Sequence, residues 1–326
     1  MTTICILTIL CILGGSWYAY GVSFFSPKKG RTTADSPMVG AQYEAVSEHI
    51  SRMSSIMQRV PFEEITISSY DGTVLYGRYY HQKDGAPVEL LFHGYRSHPY
   101  RDCSGGHALS RKMGFNALVV DQRSHGNSGG HTICFGIKER IDCLCWIRYL
   151  NSRFGTASPI ILSGLSMGAA TVLMSAGLEL PGNVACIIAD SPYSSPTAII
   201  EKVCRDKKYP LFLCRPFLHL GALIFGGFRL GSCTAKDAVR SCKVPVLLIH
   251  GEADHFVPSE MSMQIAAACA SRVEVATFPG AGHGLSYLTD PVRYEALVCR
   301  FLQSLPSVNS AIRPEYIEEL NKIIRS

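Results

Sequence analysis

The stretch Pro159-Ile160-Ile161-Leu162-Ser163-Gly164-Leu165-Ser166-Met167-Gly168-Ala169-Ala170 decides the fold. It reads as an apolar strand, a GxSxG turn and the start of a helix rich in small residues. A turn this sharp strains the serine backbone, and Gly164 and Gly168 are needed because a Cβ at either would collide across it. Ser166 is thereby lifted out at a helix N-terminus, where the backbone N–H of Met167 can face a developing oxyanion. GxSxG recurs by chance, but strand, motif and helix together favour a nucleophile elbow over a glycine-rich turn with an idle serine.

A serine hydroxyl is a weak nucleophile, so the elbow demands a histidine base and an acid to orient it, both further along the chain. Leu247-Leu248-Ile249-His250-Gly251-Glu252-Ala253-Asp254 places Asp254 in a loop just after a strand. Phe278-Pro279-Gly280-Ala281-Gly282-His283-Gly284 places His283 in a glycine-rich loop after the last strand. Asp190 and Glu252 are rival acids, although Asp190, in Ala189-Asp190-Ser191-Pro192-Tyr193, suits a cap on the segment that follows it. His93, His125, His250 and His255 occupy the wrong ends of the strand pattern for the base. The second oxyanion donor is expected in His93-Gly94-Tyr95-Arg96-Ser97, with the Tyr95 N–H as the choice and His93 as a support for the loop. Asp121-Gln122-Arg123-Ser124-His125-Gly126-Asn127-Ser128 is expected to buttress the site from the next strand end.

Outward from the elbow, short apolar runs recur at 88–92, 117–120, 184–189, 244–249 and 273–278, alternating with helical candidates at 103–113, 137–154, 167–176, 259–270 and 291–305. Such alternation implies an α/β fold with a mainly parallel sheet covered by helices on both faces. Two alternating segments around Tyr70-Asp71-Gly72 predict a hairpin as its antiparallel edge. About fifty residues separate two of the strands, too long for a simple connection, which implies a small helical cap at about 193–240. Pro210, Arg215 and Pro216 argue against reading the apolar run inside it as a membrane span.

Residues 4–25 carry no charged side chain, a stretch of 22 that can cross a hydrocarbon core of about 30 Å. Lys28, Lys29 and Arg31 follow it and no small-x-small cleavage site lies near Ala19, so the segment reads as a single-pass anchor with the body on the cytoplasmic side. A polar linker is expected over 26–37 and an amphipathic helix over 42–59, the latter covering the domain rather than serving substrate access. The resulting division is an anchor at 1–27, linker and helix at 28–60, the main domain at 61–306 and a helical tail at 307–326. The formal charge of +5 arises from 31 basic and 26 acidic residues scattered along the chain, which excludes a nucleic-acid-binding face. The 13 cysteines are odd in number and form no CxxC pair, so neither a disulfide framework nor a zinc site is expected, and a reducing compartment suits them best.

With His93-Gly94-Tyr95, the Asp121 to Ser128 segment, Gly164-Leu165-Ser166-Met167-Gly168, His250-Gly251-Glu252-Ala253-Asp254 with Val257-Pro258, and Gly282-His283, the chain resembles the α/β-hydrolase superfamily from about residue 63 to 305. It is most similar to membrane-anchored, small-cap esterase-like members and to the serine aminopeptidase-like group. Gln122 and Ser124 depart from the small or aliphatic residue and the glycine more usual in that loop. The resemblance implies an α/β-hydrolase fold and a serine hydrolase without cofactor or metal. An acyl ester, thioester or lipid-like substrate is favoured, an amide or peptide comes second, and a catalytically silent, membrane-bound binding module stands third.

Overall fold

In a computed structural model that describes residues 1–36 and 40–325, eight strands form one sheet. They are β1 (Glu63–Ser68), β2 (Val74–Tyr80), β3 (Val88–Phe92), β4 (Asn116–Asp121), β5 (Ile160–Leu165), β6 (Val184–Asp190), β7 (Val246–Gly251) and β8 (Val273–Phe278). Their order is β1-β2-β4-β3-β5-β6-β7-β8. β1 and β2 form the expected antiparallel hairpin, β2 runs antiparallel to β4, and the remaining neighbours are parallel.

Alternate residues of the central strands feed two cores. Leu90, Leu162, Ile187 and Leu248 point to one face, beneath the helices Glu139–Phe154 and Met167–Ser175. Ile161, Ile188, Leu247 and Ile249 point to the other, beneath Ser104–Met113 and Pro291–Gln303. Burial on both faces explains why these strands read as continuous apolar runs rather than as alternation.

Three expectations are corrected. First, the segment after the apolar helix Thr2–Ser23 is no free linker up to residue 36, while Pro37 lies outside the described residues. Phe24 is fully buried against Phe135 and Phe228, Phe25 bridges to Thr132, and the Ser26 hydroxyl donates to the Ser124 carbonyl at 2.7 Å. Arg31 donates to the carbonyls of Ser128 and Gly130 at 2.5 and 2.6 Å. The apolar run thus serves two environments: Ile4 to Leu13 leave their large side chains exposed, whereas Tyr20 and Phe24 enter the core. Phe24→Ala should cost about 3–5 kcal/mol by emptying a fully buried aromatic site. Chemical denaturation of the full chain checks this, and an unchanged midpoint would mean that the segment does not dock.

Second, the helix anticipated over 42–59 is two, Ala41–Glu44 and Ser47–Gln58. Third, the insertion after β6 forms helices Pro196–Asp206, Leu211–Ile224 and Ala235–Ala238, but it does not roof the sheet edge where the elbow opens. Leu211–Ile224 lies along Thr2–Ser23 instead. Gly221 packs on Ser16 and Tyr20, Gly15 meets Phe217, and Trp17 stacks edge-on to Phe225 with centroids 5.0 Å apart. Small residues at this crossing let the two backbones approach closely. The helical tail is present as Pro314–Arg325.

Candidate active site

The elbow at the end of β5 is built as steric argument requires. Ser166 has φ 55° and ψ −113°, a conformation that non-glycine residues rarely adopt. It is held there because its N–H donates to the Asp190 carbonyl at 2.8 Å and its own carbonyl accepts from Ala170 N at 2.9 Å. A Cβ on Gly164 would overlap the backbone of Gly168, and one on Gly168 would overlap the Phe92 and His93 carbonyls.

Loops after β7 and β8 meet the elbow. His283 Nε2 lies 2.9 Å from Ser166 Oγ, and His283 Nδ1 lies 2.7 Å from Asp254 Oδ2. These partners place the proton on Nδ1, which donates to the carboxylate and leaves Nε2 to accept from the hydroxyl. Asp254 is itself oriented: its Oδ1 accepts from Val257 N–H at 2.8 Å and from Phe256 N–H at 3.0 Å. Burial works to raise its pKa, yet bonds from His250, His283 and the Val257 amide prevail and hold it well below the usual carboxylate range.

The rival side chains have other partners, and His250 also reaches Asp254 Oδ2 at 3.3 Å. Glu252 accepts from the Thr277 hydroxyl at 2.6 Å. His250 is buried between Ser262 Oγ and the Val257 carbonyl, at 2.7 and 2.8 Å. Asp190 does not cap the following helix, whose N-terminus at Pro196 is capped by the Ser195 side chain. It ends β6 with its side chain buried, accepting from Ser191 Oγ at 2.9 Å, and burial pushes its pKa up to about 6.

Met167 follows Ser166 directly in the chain, and Tyr95 lines the same cavity as Ser166. Among the described residues, neither the Met167 nor the Tyr95 N–H has a protein acceptor. Gly94 N–H donates to Asp102 Oδ2 at 2.8 Å, which pins the loop on one side of Tyr95. His93 does support this loop: its Nδ1–H donates to the Gly94 carbonyl at 2.8 Å and its Nε2 accepts from Gln122 N–H at 3.1 Å. Burial lowers its pKa to about 4, which keeps the ring neutral for that acceptor role. Gln122, the unusual residue, binds the His93 carbonyl through Nε2 and accepts from the Thr171 hydroxyl at 3.1 Å, so it ties the loop to the elbow helix.

Ser166 opens into a cavity of about 480 Å³. Its outer wall includes Tyr43, Ile50 and Met53, so the N-terminal helices line the cavity rather than merely covering the domain. Tyr43 also donates from its hydroxyl to the His283 carbonyl at 3.2 Å, and Gln42 Oε1 accepts the His283 N–H at 3.3 Å. The inner wall holds Leu91, Leu109, Ile188 and Val298, together with the carboxyls of Glu89 and Asp190. Glu89 is buried, accepts from the Ser110 and Ser163 hydroxyls, and has its pKa raised by burial. Among the described residues, none of 193–240 lines this cavity. Asp102, Gln42 and Tyr43 escaped sequence reading because their contacts span loops with no local pattern. Only the position of Asp102 just before a helix was visible, and that reads as an ordinary cap. Among the described residues, no group of three His, Cys, Asp or Glu side chains is placed to hold a metal ion.

Comparison with known proteins agrees with the topology. The solved esterase Pf2001 of Pyrococcus furiosus superposes with a TM-score of 0.63 at 22% identity, covering 85% of this chain and 99% of that one. That likeness concerns the fold. In sequence, YqkD of Bacillus subtilis (strain 168) is 25% identical over 194 residues, which is 59% of this chain and 64% of that protein. Human ABHD12B is 27% identical over 201 residues, 56% of this chain and 50% of its own length. The monoacylglycerol lipase of Mycolicibacterium smegmatis is 24% identical over 235 residues, 61% of this chain and 82% of its own. The chain thus spans less than two thirds of the first two relatives. A family model described as the alpha/beta hydrolase family matches residues 90–297, most of the sheet together with the elbow and both loops that meet it, and the chain belongs to that family.

Proposed function

We propose that the protein is a serine hydrolase that cleaves carboxylic ester or thioester bonds of an acyl substrate, with Ser166 as nucleophile, His283 as base and Asp254 as the acid that orients it. The observation that carries this reading is the chain of bonds from Ser166 Oγ to His283 Nε2 (2.9 Å) and from His283 Nδ1 to Asp254 Oδ2 (2.7 Å), set at the mouth of a cavity. His283 takes the Ser166 proton as Oγ attacks the acyl carbon, and the Met167 and Tyr95 amides receive the oxyanion. As the C–O or C–S bond breaks, His283 returns the proton to the leaving alcohol or thiol, leaving an acyl-serine. Water, deprotonated by His283, then releases the acid and restores Ser166. The names of the similar proteins, an esterase and a monoacylglycerol lipase, support an ester.

One observation favours amides as a second reading. The cavity carries the buried carboxyls of Glu89 and Asp190, and an aminoacyl substrate would bring an ammonium to such a wall. A panel of acyl esters of graded length against aminoacyl amides decides between them. Esters should turn over faster, and preferential cleavage of aminoacyl amides would reverse the assignment.

We also place Thr2–Ser23, which is long and apolar enough to cross a membrane, as a single-pass anchor with the domain on the cytoplasmic side. Exposed Lys28 and Lys29 after the helix support that orientation, as do 13 free cysteines. Protease added to intact spheroplasts or cells should leave the domain whole and digest it only after lysis. Digestion before lysis would reverse the orientation, and a soluble product shortened by the apolar segment would replace the anchor with a cleaved signal.

A further inference from the structure

We propose that the C-terminal end of the Thr2–Ser23 helix is a positioning element for the oxyanion-binding amide of Tyr95, so that the segment read as an anchor is also part of the catalytic scaffold. This rests on the oxyanion role given to that amide above.

The last carbonyls of a helix lack intrahelical partners and form the negative end of its dipole, a site that favours a cation. Here they are taken by the oxyanion loop. Arg96 Nη2 donates to the Val22 and Phe25 carbonyls, each at 3.0 Å, and the Tyr95 hydroxyl donates to the Ser23 carbonyl at 2.9 Å. Tyr95, which carries the amide, and Arg96, which follows it, are therefore both bonded through their side chains to the helix end and the residues just after it.

Arg96 also sits at φ 48°, a left-handed conformation that is strained for a non-glycine residue and persists only where the surroundings enforce it. Its N–H donates to His125 Nε2 at 3.0 Å and its carbonyl accepts from the Thr32 hydroxyl at 2.6 Å. Burial lowers the His125 pKa to about 3, so that ring nitrogen stays an acceptor. With the Gly94 carbonyl accepting from His93 Nδ1 and the Arg96 N–H donating to His125 Nε2, the peptide units on both sides of Tyr95 are held, and the Tyr95 N–H in the first of them stays without a protein acceptor among the described residues.

A strut must itself be fixed, and this one is. Phe24 is fully buried, the Tyr20 and Thr132 hydroxyls are 2.8 Å apart, and Ile133 N–H donates to the Phe24 carbonyl at 2.8 Å. The same segment therefore braces the loop that carries His125. A tether that only held the domain near a bilayer would need none of these bonds.

The test uses the full-length protein in detergent micelles, with Tyr95→Phe, Arg96→Ala, the double variant and Arg96→Lys. The double variant should lose about 10- to 100-fold in kcat, the scale of a misplaced oxyanion donor, with KM within about twofold of wild type. Affinity for a trifluoromethyl ketone, whose serine adduct carries the oxyanion, should fall in parallel, while affinity for the product acid stays constant. Arg96→Lys should recover part of the loss, because an ammonium can still donate to the helix carbonyls. Unchanged kcat in the double variant overturns the proposal, as does a lower kcat with unchanged ketone affinity. If the double variant does not fold, Tyr95→Phe decides by the same two readouts. Ser166→Ala run alongside separates the two levels: full turnover there refutes the catalytic reading itself, whereas a dead Ser166→Ala with a wild-type double variant refutes only the strut.

Discussion

Ser166→Ala should lower kcat/KM for a simple acyl ester by roughly 10³-fold or more while leaving the folded protein as stable as wild type. The change removes a single oxygen. Among the described residues that oxygen's one bond is with His283 Nε2, whereas the strained backbone at φ 55° is held by main-chain bonds to Asp190 and Ala170 that alanine keeps. Alanine adds no atom to the crowded turn between Gly164 and Gly168, so a loss of stability would be unexpected. Residual rate would come from the oxyanion amides and from binding alone. Retention of more than a tenth of wild-type activity by the purified variant would remove Ser166 from the nucleophile's place.

Asp254→Asn should cost about 10³- to 10⁴-fold in kcat, far more than Asp190→Asn. An asparagine can still accept the Val257 and Phe256 N–H bonds through its carbonyl oxygen, so the loop keeps its shape. It then turns its amide NH₂ toward His283 Nδ1, where the carboxylate stood 2.7 Å away. A donor in that position favours the tautomer with the proton on Nε2, which faces Ser166 and can no longer take its proton. No hydrogen bond joins Asp190 to His283; the Asp190 carboxylate instead accepts from the Ser191 hydroxyl. Steady-state kinetics of the two folded variants decide the matter, and the reverse ranking would move the orienting acid to Asp190.

The elbow was legible because its requirements are local: an apolar strand, two glycines that cannot bear a Cβ and a helix start all lie within 159–170. The sheet was legible for a related reason, since residues buried on both faces leave continuous apolar runs. The choice among acids was not local. Asp190 ends β6 and Asp254 follows the end of β7 at the same edge of a parallel sheet, and only the reach of the His283 loop separates them. The docking of Phe24 was hidden because an apolar side chain bound for a protein core and one bound for lipid read alike. The placement of Leu211–Ile224 was hidden likewise, since its partner is a helix some two hundred residues away in sequence whose packing rests on Gly15, Ser16 and Gly221 rather than on any periodic stripe. The cavity wall at Tyr43, Ile50 and Met53 followed a helical spacing, but spacing reports only that a face is buried, not that it is buried over a nucleophile.

Reaction of the full-length protein with a fluorophosphonate, followed by peptide mass spectrometry, tests the central claim most directly. The triad reading predicts a single phosphonyl adduct on Ser166, lost in Ser166→Ala and formed far more slowly in His283→Ala. No adduct on the folded wild-type protein, or an adduct on a different residue that abolishes turnover, would contradict it.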